Sequence, residues 1–244
     1  MDVKSRAIVL RTIKLGDNKL IADLLCREEG RVSAICKVST SKTAKVRRQF
    51  LQPLTLLEVV TARTPRQTMP QLLEARLTQA YAALPFDEVK LSLGFFVAEF
   101  LVYATRDMHC ETALFDFVEQ SLLWLDATER GAANFHLMFM IRMSRFLGFL
   151  PDVETFREGT VFDLREGVFS SQVPLHRDFL MPEDAKKMHI LMRMTPSNMH
   201  LFRLSRQDRN RIVEFCLQFY RLHIPQFGDM KSLEVLQSLF RERG

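Results

Sequence analysis

Residues 7–38 read AIVLRTIKLGDNKLIADLLCREEGRVSAICKV, three short apolar runs separated by two polar turns. AIVLRTIKL places basic residues among β-branched ones, LIADLLC is a compact apolar run, and RVSAICKV alternates apolar with polar, so each has the texture of a strand. The turns LGDN, around Gly16, and REEGR, around Gly30, supply glycines able to adopt the positive φ of a tight reversal. Downstream, LTLLEVV and MPQLLEARLTQ read as two further strands, although the Leu, Glu and Gln of the second also suit a helix. Five short strands within about 80 residues predict a small five-stranded barrel of the OB type.

From Pro85 the texture changes. PFDEVKLSLGFFVAEFLVYATRD opens with proline and acids, as a helix N-terminus prefers, and continues with apolar residues at helical spacing. ETALFDFVEQSLLWLDAT and ANFHLMFMIRMSRFLGF follow in the same style, the latter apolar almost all round and therefore a buried central helix. After LGFLPD the pattern turns irregular, with TVFDLREGVFSS suited to a hairpin, before helices resume at PEDAKKMHILMRM, SRQDRNRIVEFCLQFYRLH and SLEVLQSLFRER. The predicted architecture is α+β in two domains. An OB barrel spans residues 1–80, and a mainly helical domain spans 81–244 with a β-hairpin insertion near 155–180.

A 47% hydrophobic content is ample for a core in 244 residues. No apolar run approaches the roughly 18 residues of a membrane span, and MDVKSRAIVL lacks an apolar leader region, so a cytoplasmic protein is expected. Cys26, Cys36, Cys110 and Cys216 form no C-x-x-C pair, which predicts buried reduced thiols rather than disulfides or a zinc knuckle. The glycines are too far apart for a phosphate-cradling loop or a nucleophile elbow, and no histidine pair has the spacing of a helical metal site. His109, Cys110 and Glu111 are adjacent and would point apart. Asp152 with Glu154, and Asp163 with Glu166, lie in turn-like sequence and read as solvated acids. No enzyme chemistry, metal or cofactor is expected.

The net charge of +5 is unevenly spread, with 15 Lys and Arg against 7 Asp and Glu in residues 1–80. Its focus is CKVSTSKTAKVRRQFLQP, residues 36–53. Arg31, Lys37, Lys42, Lys45, Arg47 and Arg48 precede the next acid, Glu58. Small polar residues between these cations fit a mobile β–β connection following a phosphate backbone, flexible without DNA, with FLQP beginning the next strand. Arg11 and Lys14 are lesser candidates for the same role. OB folds usually stack bases on aromatics, yet Phe50 is the only aromatic in residues 1–80. Binding is therefore expected to be dominated by phosphates, weakly sequence-specific and salt-dependent. The alternative is a protein-binding adaptor with a solvated basic loop. The Met-rich HLMFMIRMSRF, with Arg142 and Arg145, reads first as core and second as an adaptable partner groove.

These segments resemble the RecO family of bacterial recombination mediators. The resemblance rests on AIVLRTIKLGDNKLIADLLCREEGRVSAICKV, FLQPLTLLEV, FLGFLPD and YRLHIPQFGDMKSLEVLQSLF, four motifs in order over almost the whole chain. It implies an OB fold joined to a helical domain, binding of single- and double-stranded DNA, and annealing of complementary strands. It further implies, with RecR, assistance to RecA loading on DNA coated by single-strand-binding protein (SSB), contact with the SSB C-terminal tail, indirect association with RecF, and a nucleoid-associated location. Many family members carry a four-cysteine zinc site where this chain reads TFREGTVFDLREGVFSS without cysteine, and their Ala-Lys-Gly is here Cys36, Lys37, Val38.

Overall fold

The computed structural model describes residues 2–39, 41, 44–63 and 68–242. The chain forms two compact units, residues 1–127 and 128–244.

In the first unit, β1 (Asp2–Lys14), β2 (Lys19–Cys26), β3 (Gly30–Lys37), β4 (Leu56–Ala62) and β5 (Gln71–Gln79) close a barrel in the order β1-β2-β3-β5-β4. β4 returns to β1 from Asp2↔Ala62 through Ile8↔Leu56, and β3 meets β5 in parallel only at Ile35↔Gln71 and Cys36↔Leu72. This is the OB arrangement, and the ambiguous segment at 71–79 is a strand because β4 offers it a full antiparallel ladder. Inward positions are often small, Ala22, Ala34, Cys36 and Ala75 among them, which lets a five-stranded cylinder close around its own side chains. Gly16 has no positive φ, so the first turn does not depend on glycine; Gly30, at φ +74°, does.

FLQP does not begin a strand. A short 3-10 turn spans Arg48–Leu51 and β4 starts only at Leu56, because Leu51 and Leu54 are drawn into the interior before the chain turns.

Two helices belong with this barrel. α1 (Glu88–Ala104) is N-capped by Asp87, whose carboxylate accepts from the amides of Val89 (2.9 Å) and Lys90 (3.0 Å). It packs on β1, which explains why Ala7, Ile8, Val9 and Leu10 are all buried although successive residues face opposite sides of a strand. α2 (Thr112–Ala127) carries Asp126 in its last turn, whose carboxylate accepts from the amides of Ala82, Ala83 and Leu84 at 2.9, 2.8 and 2.6 Å. Lys90 donates to the backbone oxygen of Asp126 (2.7 Å). The change from strand to helix thus falls between Gln79 and Glu88, but the compact units part after Ala127, since sequence texture records secondary structure and not which side of a boundary a helix packs on.

The β2–β3 turn is seated against the α1–α2 connection. Arg31 N donates to Met108 O (3.2 Å), and Arg27 makes a two-pronged pair with Asp116 at 2.8 and 2.9 Å. A Cβ on Gly30 would lie 2.5 and 2.6 Å from the backbone C and O of His109. Gly30→Ala is therefore expected to cost about 2–3 kcal/mol, combining a disfavoured φ with overpacking against backbone. Denaturant unfolding measures it, and Gly16→Ala, whose Cβ meets nothing within 4 Å, is the matched control.

In the second unit, α3 (Phe135–Phe146) is the buried central helix, with Phe135 through Ile141 inaccessible on all sides. Burial pushes His136 down to about 3, so this imidazole is neutral in the core. A small sheet of β6 (Val161–Asp163), β7 (Val168–Ser170) and β8 (Phe179–Leu180) forms the expected hairpin, ordered β7-β6-β8. α4 (Pro182–Met192), α5 (Arg206–His223) and α6 (Ser232–Glu242) complete the unit, and Tyr220 on α5 donates to Met140 O (2.8 Å). Among the described residues no helix is long and apolar enough to cross a membrane.

Candidate nucleic-acid interface

The β2–β3 ladder places Lys19 directly opposite Lys37. Opposite residues of an antiparallel pair share a face, and like charges there weaken the sheet, so this pair is not explained by stability. Both side chains are exposed and neither forms an ion pair among the described residues. Lys14, also exposed, ends β1 beside the start of β2 in the register Lys14↔Leu20. Three lysines from three neighbouring strands are thus gathered at one end of the barrel. Lys19 is outside the basic stretch, and the sequence signal for it was a hairpin register that only strand pairing fixes.

The β3–β4 connection is not a free arm where it is described. Val38 and Val46 are buried in the barrel core, Ser39 bridges Arg47, and Lys45 O accepts from Ala75 N (3.0 Å). The expectation of a loop flexible throughout is corrected for residues 44–48: two valines among the cations anchor it. Lys42 lies outside the described residues.

The other candidates differ in how available their charge is. Arg48 is exposed at the start of its 3-10 turn. Arg47 is half-buried with its guanidinium 5.4 Å from the Phe50 ring centroid. Lys45 reaches Glu74 at 2.6 Å, and this hydrogen bond holds the Glu74 carboxyl below its usual range. Arg31 is a correction: its side chain is 9% exposed and donates to Asp23 (3.0 Å) and Thr105 (3.2 Å). Burial lowers its pKa against the opposing pull of Asp23, and a guanidinium enclosed in this way is a structural cation, not a phosphate contact. Arg11, half-exposed, also bonds Asp23 (2.6 Å), so part of its charge is neutralised.

Arg142 and Arg145 are on one helix but not in one role. Arg142 donates through Nε (3.1 Å) and Nη2 (2.7 Å) to Met194 O, capping a carbonyl just beyond α4. Arg145 is exposed.

Two further expectations change. Asp163 is buried, not solvated: it accepts from the amides of Arg165 (2.8 Å) and Glu166 (3.2 Å) and lies 3.3 Å from His176 Nε2, so it shapes the hairpin turn. Cys110 is exposed, its thiol donating to Arg27 O, whereas burial pushes Cys36 up to about 11 and Cys26 and Cys216 up to about 12. Brief alkylation of the folded protein should therefore label Cys110 alone, with the other three reacting only after denaturation, as peptide mapping will read.

Two sequence models divide this chain between them: that of the recombination protein O N terminal matches residues 1–81, and that of the recombination protein O C terminal matches residues 85–234. The chain belongs to the RecO family. It is 41% identical over 237 residues to the DNA repair protein RecO of Phocaeicola vulgatus, covering 97% of this chain and 98% of that one. It is 37% identical over 238 residues to that of Bacteroides fragilis, with the same coverage, and 33% identical over 246 residues to that of Porphyromonas gingivalis, covering 98% and 100%. A DNA repair and recombination role and an OB barrel followed by helices therefore stand together. For a RecO chain the hairpin at 161–170 also bears on zinc. Where the resemblance implies four cysteines, Phe156 stacks on His189 (3.9 Å between ring centroids) and meets Phe169 edge-on (5.1 Å), which in turn packs on Phe162 (4.8 Å). A thiolate cage does not fit this aromatic cluster, and among the described residues no group of three or more metal-ligating side chains converges.

Proposed function

We propose that this RecO chain grips the sugar-phosphate backbones of single- and double-stranded DNA and anneals complementary strands. The supporting observation is the set of exposed cations on a barrel nearly free of aromatics, Lys14, Lys19 and Lys37 gathered at one end and Arg48 on the β3–β4 connection. Such cations attract two strands at once and release counterions, while the lack of stacking platforms leaves most base edges free to pair. Lys45 and Arg47 contribute less, being engaged by Glu74 and Phe50.

With RecR, and with RecF and RecA as indirect associates, the same chain assists RecA loading on SSB-coated DNA without itself catalysing bond chemistry, in the cytoplasm at the nucleoid. Arg145 on α3 is the candidate contact for the acidic SSB tail; Arg142, engaged with the Met194 carbonyl, is the less available of the two. Annealing of complementary oligonucleotides, bare and SSB-coated, tests the reading. Acceleration of both is expected, with Arg145→Glu slowing only the coated reaction by roughly tenfold, the scale of a lost charged contact. Absence of acceleration on bare strands would leave the adaptor reading in its place.

A further inference from the structure

The parallel seam between β3 and β5 lasts only two residue pairs, and beyond it the strands part to form a cleft of about 400 Å³. Its lining brings Lys19, Lys37 and Gln71 together with the apolar side chains of Ile35 and the exposed Leu73. Lys45, which also lines the cleft, is held by Glu74, so the positive charge without an acidic partner among the described residues is that of Lys19 and Lys37.

We propose that this cleft seats one unstacked nucleotide of a single strand, with its phosphate on Lys19 and Lys37 and its sugar and base against Ile35 and Leu73. The proposal rests on the DNA-gripping reading and deepens it. Three features lead to it. A volume of about 400 Å³ is within the range of small-molecule sites and accommodates a nucleotide. Two like charges held in cross-strand register cost the sheet stability and are relieved by a bridging anion. The apolar Ile35 and Leu73 in the same lining offer nothing to a phosphate and suit the flat face of a base or sugar, the platform that aromatics provide in other OB folds. Gln71 in this lining can donate and accept, so it meets any base edge without selecting one. A base held in a stacked duplex cannot enter. One nucleotide is thereby anchored while its neighbours stay exposed for pairing, which is compatible with annealing.

The test uses the full chain and oligonucleotides of one length, single-stranded or duplex, with 2-aminopurine at one position. Leu73→Ser should weaken single-strand binding by about fivefold, from the loss of apolar contact, while leaving duplex affinity unchanged and reducing the change in 2-aminopurine fluorescence. Leu73 is already exposed, so this substitution spares the fold, and circular dichroism verifies it. Lys19→Ala with Lys37→Ala should weaken both DNA forms. If Leu73→Ser alters both forms equally or neither, while the lysine variant weakens both, the nucleotide seat is wrong and the backbone grip stands. If the lysine variant alters neither form, the DNA-gripping reading itself fails at this face.

Discussion

Asp23→Asn is expected to destabilise the barrel unit by about 3–5 kcal/mol, the cost of leaving a buried charge without its counterion. Asp23 is 3% exposed at the centre of a small polar network: Arg31 and Arg11 donate to one carboxylate oxygen at 3.0 and 2.6 Å, and Ser33 donates to the other. Asparagine keeps the shape and removes the charge, so Arg31, held inside the barrel and bonded also to Thr105, faces no anion. A fall in melting temperature on the order of 10 °C follows for a chain of this size. Pairing the change with Arg31→Met should recover much of the loss, because it removes the guanidinium that would otherwise stay enclosed without an anion.

The same network sets a pH dependence whose sign is fixed. Burial alone would raise the Asp23 pKa, but the hydrogen bonds from Ser33 and Arg11 and the charge of Arg31 outweigh it and hold the carboxyl below its ordinary range. A carboxylate whose folded pKa is depressed contributes stability that is full above its unfolded pKa of about 4 and is lost as pH falls through the folded value. The gap between the wild-type chain and Asp23→Asn should therefore be constant from pH 5 to 8 and close below about pH 4. A gap that instead widened on acidification would mean that the network does not act through an ionised Asp23.

The second large effect concerns DNA. Replacing Lys14, Lys19, Lys37 and Arg48 with Ala should weaken single-strand binding by more than a hundredfold at 50 mM salt, on the scale of about 0.7 counterions released per phosphate contact. The diagnostic is the slope: the dependence of log K on log salt should lose roughly 3, so that the deficit shrinks by roughly fiftyfold between 50 and 200 mM. Lys45→Ala, removing a cation already paired with Glu74, should change the slope by much less. Equal slopes for the quadruple variant and the parent chain, measured by fluorescence anisotropy, would place the grip elsewhere.

The strand and helix succession was legible in the sequence because it rests on local periodicity. Apolar residues at every second position, glycine at Gly30 where φ is positive, and proline with acids at the first helix are constraints that each segment carries alone. The segment MPQLLEARLTQ shows the limit. Its composition suits both states, and the β4 ladder made it a strand. The basic character of the first 80 residues was equally plain, and so was the absence of aromatics to stack on.

What the sequence alone determined is a barrel-then-helices chain with a one-signed N-terminal third and, through four ordered motifs, its family. Only the tertiary structure decided which cations are available. Asp23, eight residues before Arg31 in sequence, pairs with it from the neighbouring strand, while Glu74 on β5 reaches back to Lys45 in the β3–β4 connection. Lys19 and Lys37 become a pair solely through the β2–β3 register. A charge count sums over residues, whereas binding depends on desolvation and on the nearest opposite charge, and both of those are properties of folded distance.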